Sequence, residues 1–165
     1  MNHRITTLIV ALVAASTLSP STAHSQVYLG PELAWNDDAD FGIGAGVEFD
    51  LPELHSGVGF VGDFLWFFPG EDFDYFEFNA NLTYDLPLEE TKVVPFALAG
   101  LNVGRVSLDS GGVLEGDDGN TDLALNLGGG LKFVAGSFRP RVAARFAVGN
   151  DNLTFFAFIP FQVAN

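Results

Sequence analysis

The sequence contains no cysteine among its 165 residues. This absence excludes disulfide bonds, thiol nucleophiles, cysteine-ligated metals and a lipid-modified N-terminal cysteine. Basic residues are also scarce, with seven Lys and Arg against 21 Asp and Glu and a formal net charge of −14. Because nucleic-acid binding relies on a basic surface, nucleic acid is not an expected partner.

Long hydrophobic runs are missing as well, so the sequence predicts no transmembrane helix. The longest apolar run, Leu8–Leu18, follows the basic Arg4 and precedes small residues that end near Ser25. This order is typical of a secretory signal peptide. We therefore predict that residues 1–26 are a cleaved signal peptide and that residues 27–165 form one domain.

The clearest pattern in the remaining chain is the alternation in Asp74–Leu86. Every second residue from Phe76 to Leu86 is apolar, and nearly all of those between them are polar. Such alternation predicts a β-strand with one apolar and one polar face. At thirteen residues the strand exceeds the usual length in soluble domains and is long enough to cross a tilted bilayer.

The same alternation recurs in seven further segments, and no stretch has a helical period. The eight predicted strands are Val27–Asn36, Phe41–Leu51, Val58–Phe68, Asp74–Leu86, Val93–Val106, Thr121–Phe133, Phe138–Val148 and Leu153–Gln162. The faces of Val93–Val106 are ambiguous, and those of Leu153–Gln162 cannot be assigned. Short connections between the strands indicate an up-and-down arrangement.

The large size of the apolar residues indicates which way their face points. An eight-stranded barrel has an interior only just wide enough for side chains, and the chain contains 17 Phe. We therefore predict an all-β fold, an eight-stranded antiparallel up-and-down transmembrane β-barrel whose aromatic face contacts lipid. The alternative is a soluble periplasmic binding barrel with its apolar face inside.

Turn composition and aromatic positions orient the predicted barrel. The connections 36–40, 69–73, 107–120 and 149–152 contain many acidic residues and no Lys or Arg, and we assign them to the outside. Two aromatic girdles are predicted at the membrane interfaces. They comprise Trp35, Trp66 and Phe68 at the outer rim and Phe49, Tyr84, Phe133 and Phe138 at the inner rim.

The charged residues of the polar face are segregated along the chain. Acidic residues lie in the first four strands and basic residues in the fifth to seventh, with Asp122 near the outer rim as the exception. Closure of the sheet would bring the two halves together, and we predict a network of ion pairs across the lumen, with separately hydrated charges as the alternative. The predicted network comprises Glu32, Glu48, Asp50, Asp63, Glu77, Asp85, Arg105, Lys132, Arg139, Arg141 and Arg145.

Within this network, Arg141 and Arg145 are expected near Asp63, Glu32 or Glu77. Arg139 and Lys132 are expected near Glu48, Asp50 or Asp85.

Three segments of the chain resemble a known family. They are NLTYDLPLEETKVVPFALAGLNVG (Asn81–Gly104), LNLGGGLKF (Leu125–Phe133) and RPRVAARF (Arg139–Phe146). The chain resembles the outer membrane protein β-barrel domain family, the small eight-stranded barrels related to OmpA and OmpX. The resemblance implies a monomer in the outer membrane of a Gram-negative bacterium, contacting membrane lipid and the outer-membrane assembly machinery. Such barrels usually end in an aromatic residue, whereas the last aromatic residue here is Phe161.

Catalytic and metal-binding patterns are lacking. His55 stands alone in a predicted inner turn, far from the rim where a lipid-modifying enzyme would need it to activate a hydroxyl. The acidic residues that follow Asp109 lack the ligand spacing of an EF-hand loop. We expect no enzymatic activity, no metal and no cofactor. The predicted function is a structural or surface-interaction role with a plugged lumen; the alternative is a narrow porin-like channel for ions or small solutes.

Overall fold

The computed structural model describes residues 26–68, 73–86, 88, 92–108 and 120–164. The predicted signal peptide, apart from Gln26, lies outside the described residues, as do residues 109–119 of the long acidic connection. Within these described residues, nine β-strands form where the sequence alternates. They are β1 (Val27–Asn36), β2 (Asp40–Asp50), β3 (Val58–Phe67), β4 (Phe73–Asp85), β5 (Val93–Leu108), β6 (Thr121–Phe133), β7 (Arg141–Val148), β8 (Asn152–Phe158) and β9 (Phe161–Ala164). Within the described residues, no helix is long and apolar enough to span a membrane.

The strands form one closed antiparallel sheet. Each strand from β1 to β7 pairs with its successor in the sequence, and β1 pairs with β8 and β9 on its other side. β8 lies beside Glu32–Asn36 of β1, and β9 lies beside Val27–Leu29. Because β8 and β9 follow one another along the same neighbour, they are two parts of one barrel strand. The predicted eight-stranded antiparallel barrel is confirmed.

Proline and glycine explain the break in the last barrel strand. Pro160 has no N–H group and cannot donate to the sheet. The N–H of Ile159 donates to the carbonyl oxygen of Pro31 at 3.0 Å, which keeps the two strands together at the break. A Cβ atom on Gly30 would lie only 2.1 Å from the Ile159 carbonyl oxygen, so this close approach requires glycine.

The seventh barrel strand is shorter than predicted. Its regular pairing begins at Arg141 rather than Phe138, because Pro140 cannot donate a backbone hydrogen bond. Phe138 instead forms isolated bridges with Ala135 and Phe161. The segment between β6 and β7 therefore packs against the last barrel strand at the inner end.

The apolar faces of the strands point outward, as predicted from residue size. Every strand exposes large apolar side chains, including Leu33 on β1, Phe78 on β4 and Leu127 on β6. The inward faces carry most of the buried polar side chains. These are Glu32, Asn36, Glu48, Asp63, Glu77, Asn79, Asn81, Thr83, Asn102, Asn126, Lys132, Arg141, Arg145, Asn152 and Thr154.

Candidate functional site: the barrel interior

The centre of the lumen is occupied by Arg145 of β7, which is 2% exposed. Its Nη1 lies 3.0 Å from Oδ1 of Asp63, and its Nη2 lies 3.0 Å from Oε2 of Glu77. Both acidic residues are almost fully buried and come from the strands β3 and β4 on the opposite wall. A guanidinium group with two carboxylates bridges the bore and supplies the pairing that buried charges require.

Asparagine side chains extend this central cluster along the wall. Nδ2 of Asn79 donates to Oδ1 of Asp63 at 2.8 Å. Oδ1 of Asn79 accepts hydrogen bonds from Nδ2 of Asn102 at 2.9 Å and of Asn126 at 2.8 Å. This ladder follows from the register, in which Asn79 pairs with Asn102 between β4 and β5. The sequence alone did not indicate this ladder.

Three further ion pairs lie toward the inner end. Arg141 pairs with Glu48, and Lys132 pairs with Asp85. Nη1 of Arg139 lies 2.9 Å from Oδ2 of Asp50, and its Nη2 donates to the side chain of Gln26 at 2.9 Å. Glu48 had been expected near Arg139 or Lys132, whereas the structure pairs it with Arg141. The arrangement joins the acidic strands β2–β4 to the basic strands β6 and β7 across the interior.

The prediction that Arg105 belongs to the lumen is wrong. It assumed that Phe96 and Leu98, on the opposite face of β5, point outward. Both are buried inside the barrel, and β5 pairs with β4 without a register shift between Phe96 and Leu108. Two-residue alternation therefore turns Arg105 outward, where it is exposed beside Phe76 of β4.

Glu32 is also inside the barrel, but its surroundings differ from those of the other acidic residues. It is 1% exposed, and neither carboxylate oxygen has a hydrogen-bond partner among the described residues. It interacts electrostatically with Asp63, Arg141 and Arg145. Both arginines already pair with other carboxylates, so Glu32 is a buried carboxyl group without an ion-pair partner of its own among the described residues.

Aromatic side chains fill the space between the ion pairs, and the sequence analysis missed them. Buried aromatic rings come from Tyr28, Phe67, Phe96, Phe156 and Phe158. The guanidinium of each inner-facing arginine lies over a ring, at 4.4 Å for Arg139 on Tyr28, 5.0 Å for Arg141 on Phe96 and 5.0 Å for Arg145 on Phe156. These cation–π contacts add attraction in a desolvated interior.

Inward-facing glycines make room for two of these rings. A Cβ atom on Gly46 would lie 3.1 Å from the Phe158 ring, and one on Gly42 would lie 2.6 Å from Phe67. The glycine-rich polar face of β2 is the sequence signal that could have indicated large side chains opposite it.

The predicted girdle residues all lie on the outer wall. Trp35, Trp66, Phe68, Tyr84 and Phe133 are exposed, whereas Phe49 and Phe138 are partly covered by aromatic neighbours. The Phe49 ring stacks on Phe60 at 4.9 Å, and the Phe138 ring stacks on Phe161 at 5.1 Å.

Solved structures with the same architecture are small outer-membrane barrels. Neisserial surface protein A aligns with a TM-score of 0.62 and 16% identity over 87% of this chain and 98% of its own. Ail, the attachment invasion locus protein of Yersinia pestis, aligns with a TM-score of 0.60 and 16% identity over 84% of this chain and 96% of its own. The outer membrane enzyme PagL aligns with a TM-score of 0.51 and 14% identity over 84% of this chain and 99% of its own. No protein-family model and no curated protein sequence matches the chain.

The chain has the fold of the eight-stranded outer-membrane β-barrels. At these identities the likeness concerns the fold alone, and the fold is shared by a surface protein and an enzyme. Activity must therefore be argued from the residues of this barrel.

The described residues offer few catalytic or metal-binding groups. Nδ1 of His55 accepts a hydrogen bond from the N–H of Gly57 at 3.2 Å, within the turn between β2 and β3. No group of three or more His, Cys, Asp or Glu side chains in this part of the chain is placed to hold a metal ion. The chemical character of the interior is thus that of a packed network of ion pairs, amides and aromatic rings.

Proposed function

We propose that the chain is an outer-membrane β-barrel protein with a structural and surface-interaction role and a plugged lumen, and that it is not an enzyme. The observation that carries the proposal is the combination of an apolar outer wall with an interior filled by side chains. Residues 1–26 are proposed to be the cleaved signal that exports it to the outer membrane.

The outer wall supports insertion into lipid. Large exposed apolar residues occur on all nine strands, and a soluble monomer rarely exposes so extensive an apolar surface. Closure of the sheet also leaves no row of unpaired backbone groups in the hydrocarbon. Membrane lipid is therefore the proposed partner of this wall.

The side chains inside the barrel support the proposal of a plugged lumen. Arg145 joins β7 to β3 and β4 through the centre of the bore, and Phe156 and Phe158 are buried beside the charged groups. An eight-stranded barrel has little interior space beyond that needed for side chains. Continuous passage of solute would require several of these side chains to move together.

The proposed assembly partner is the outer-membrane assembly machinery, and the proposed state is a monomer. Phe161 on β9 is the last aromatic residue, and it is 53% exposed on the outer wall. It would present an aromatic side chain near the C-terminus although the chain continues to Asn165.

A narrow channel for ions or small solutes is the second candidate, because the buried carboxyl group of Glu32 has no hydrogen-bond partner among the described residues and water in the lumen would satisfy it. Planar-bilayer recording of the refolded protein separates the two. A plugged barrel gives no steady conductance, whereas steady open channels would establish the second candidate. A mature chain that remains a monomer in buffer without detergent would contradict both.

A further inference from the structure

A cavity of about 420 Å³ opens at one end of the barrel, and we call it the vestibule. It lies between the β1–β2 turn and the β7–β8 turn, at the end predicted to face outward. Its walls include Asp38, Tyr75, Val106, Asp122, Asn150 and Asn152. The ion-pair cluster around Arg145 lies below it, because the Tyr75 hydroxyl donates to Oε1 of Glu77 at 3.0 Å.

The two turns that form one side of the vestibule are held together. The N–H of Asp37 donates to the carbonyl oxygen of Leu153 at 3.1 Å, and the N–H of Leu153 donates to Oδ1 of Asp37 at 2.8 Å. Oδ1 of Asn36 accepts the N–H groups of Asp38 and Ala39 at 2.9 and 3.0 Å. The backbone at Asp38 is therefore held in place before any ligand binds.

Asn152 provides an independent indication of a ligand. Its side chain is 5% exposed, contacts Tyr75 and lines the vestibule. Its Oδ1 has no hydrogen-bond partner among the described residues. A buried carbonyl-type acceptor without a donor is unfavourable, and a rotation of the Asn152 amide that brings its covered Oδ1 to an ammonium group in the vestibule would satisfy it.

The lining specifies the charge of the ligand. Asp38 and Asp122 supply carboxylates, and the described residues that line the vestibule include no Lys, Arg or His. Asp122 accepts Nδ2 of Asn120 at 3.0 and 2.9 Å, but a carboxylate has further acceptor sites. The vestibule thus favours a cation that donates hydrogen bonds.

The size and the apolar part of the lining favour an organic cation over a metal ion. About 420 Å³ greatly exceeds the volume of one metal ion, and Val106, Ala39 and the Tyr75 ring offer contacts to hydrocarbon. An ammonium group can also be stabilised by the face of a tyrosine ring.

We propose that the vestibule binds a small alkylamine, whose ammonium group lies among Asp38, Asp122 and Asn152 and whose carbon chain contacts Val106 and Tyr75. This alkylamine site rests on the proposed surface-interaction role and gives that role a ligand class. Its test uses refolded protein in detergent micelles and depends neither on conductance nor on location in the cell.

The probe is 1,4-diaminobutane, titrated while the side-chain amide NMR signals of Asn152 and Asn150 are followed. We expect saturable shifts of the Asn152 signal with the diamine and none with butane-1,4-diol, which has the same chain without charge. Equal shifts with the diol, equal displacement by Mg²⁺ at the same concentration, or no saturable shift would each overturn the proposal.

The variant Asp38→Asn/Asp122→Asn removes both carboxylates of the site. We expect its affinity for the diamine to fall at least about tenfold, because charge-assisted hydrogen bonds are lost. The matched control is Asp40→Asn/Asp151→Asn, which removes the same charge from the same end of the barrel, at positions outside the vestibule lining. Asp40 and Asp151 have φ values of 57° and 56°, a conformation that Asn also adopts readily. If the control weakens binding as much, the attraction is diffuse and the site is refuted.

Discussion

Arg145 on β7 and Asp63 on β3 meet across the lumen, with Nη1 3.0 Å from Oδ1 and 3.2 Å from Oδ2. The two residues are 82 positions apart in the sequence. From β4, Glu77 accepts a hydrogen bond from Arg145, and Asn79 donates one to Asp63. The contact therefore ties three strands together through the bore rather than through the sheet, and it makes the lumen a core.

The first prediction concerns this contact. Arg145→Met leaves Asp63 and Glu77 buried without their cation, and we expect the free energy of unfolding to fall by about 3–5 kcal/mol. Urea unfolding of the protein refolded in lipid vesicles, followed by Trp35 and Trp66 fluorescence, measures it.

Arg139→Met is the control for Arg145→Met. Its partner Asp50 is a partly exposed side chain at the inner rim, so the expected loss is about 0–1 kcal/mol. Equal losses in the two variants would show that the central pair has no special importance for stability.

The second prediction concerns the lumen aromatics. Phe158→Ala removes a fully buried ring beside Gly46 and Arg141, and we expect a loss of about 3–5 kcal/mol from the cavity it leaves. Phe155→Ala, on the outward face of the same strand, should cost clearly less because lipid fills the space. A similar cost for both, measured by the same unfolding assay, would argue against a packed interior.

The third prediction tests the apolar wall at two depths. Leu127 lies midway along β6, and Leu123 lies four residues nearer the end of β6 that is predicted to face outward. We expect Leu127→Arg to destabilise the barrel in vesicles by about 2–4 kcal/mol and Leu123→Arg by about 0–1 kcal/mol. Equal tolerance of arginine at both positions would contradict a lipid-facing wall.

The fourth prediction concerns barrel closure at Gly30. A Cβ atom there would collide with the backbone of Ile159, and we expect Gly30→Ala to lower stability by about 1–3 kcal/mol. In Gly62→Ala the new methyl group would meet only the flexible side chains of Phe60 and Val47. The loss of heat-resistant migration on unboiled gels should therefore occur at a lower temperature for Gly30→Ala than for Gly62→Ala.

Strand positions and the orientation of most faces could be predicted from the sequence. Alternation in segments such as Asp74–Leu86 has a two-residue period that only an extended strand can use to separate apolar from polar side chains. The size of the apolar residues then indicated the outward face, because an eight-stranded interior has no room for all of them. Segregation of acidic and basic residues further indicated that charges would meet across the bore.

Closure of the barrel decided what the local pattern left open. The face of Arg105 depended on whether Phe96 points inward, and inside the closed barrel the Phe96 ring lies against Arg141, a residue from another strand. The pairing of Arg141 with Glu48 and the inward turn of Phe158 likewise follow from the stagger between strands far apart in the sequence. A strand's own residues fix its period, but only the closed sheet fixes which side chains share a level of the lumen, because that level is set by the register of all strands together.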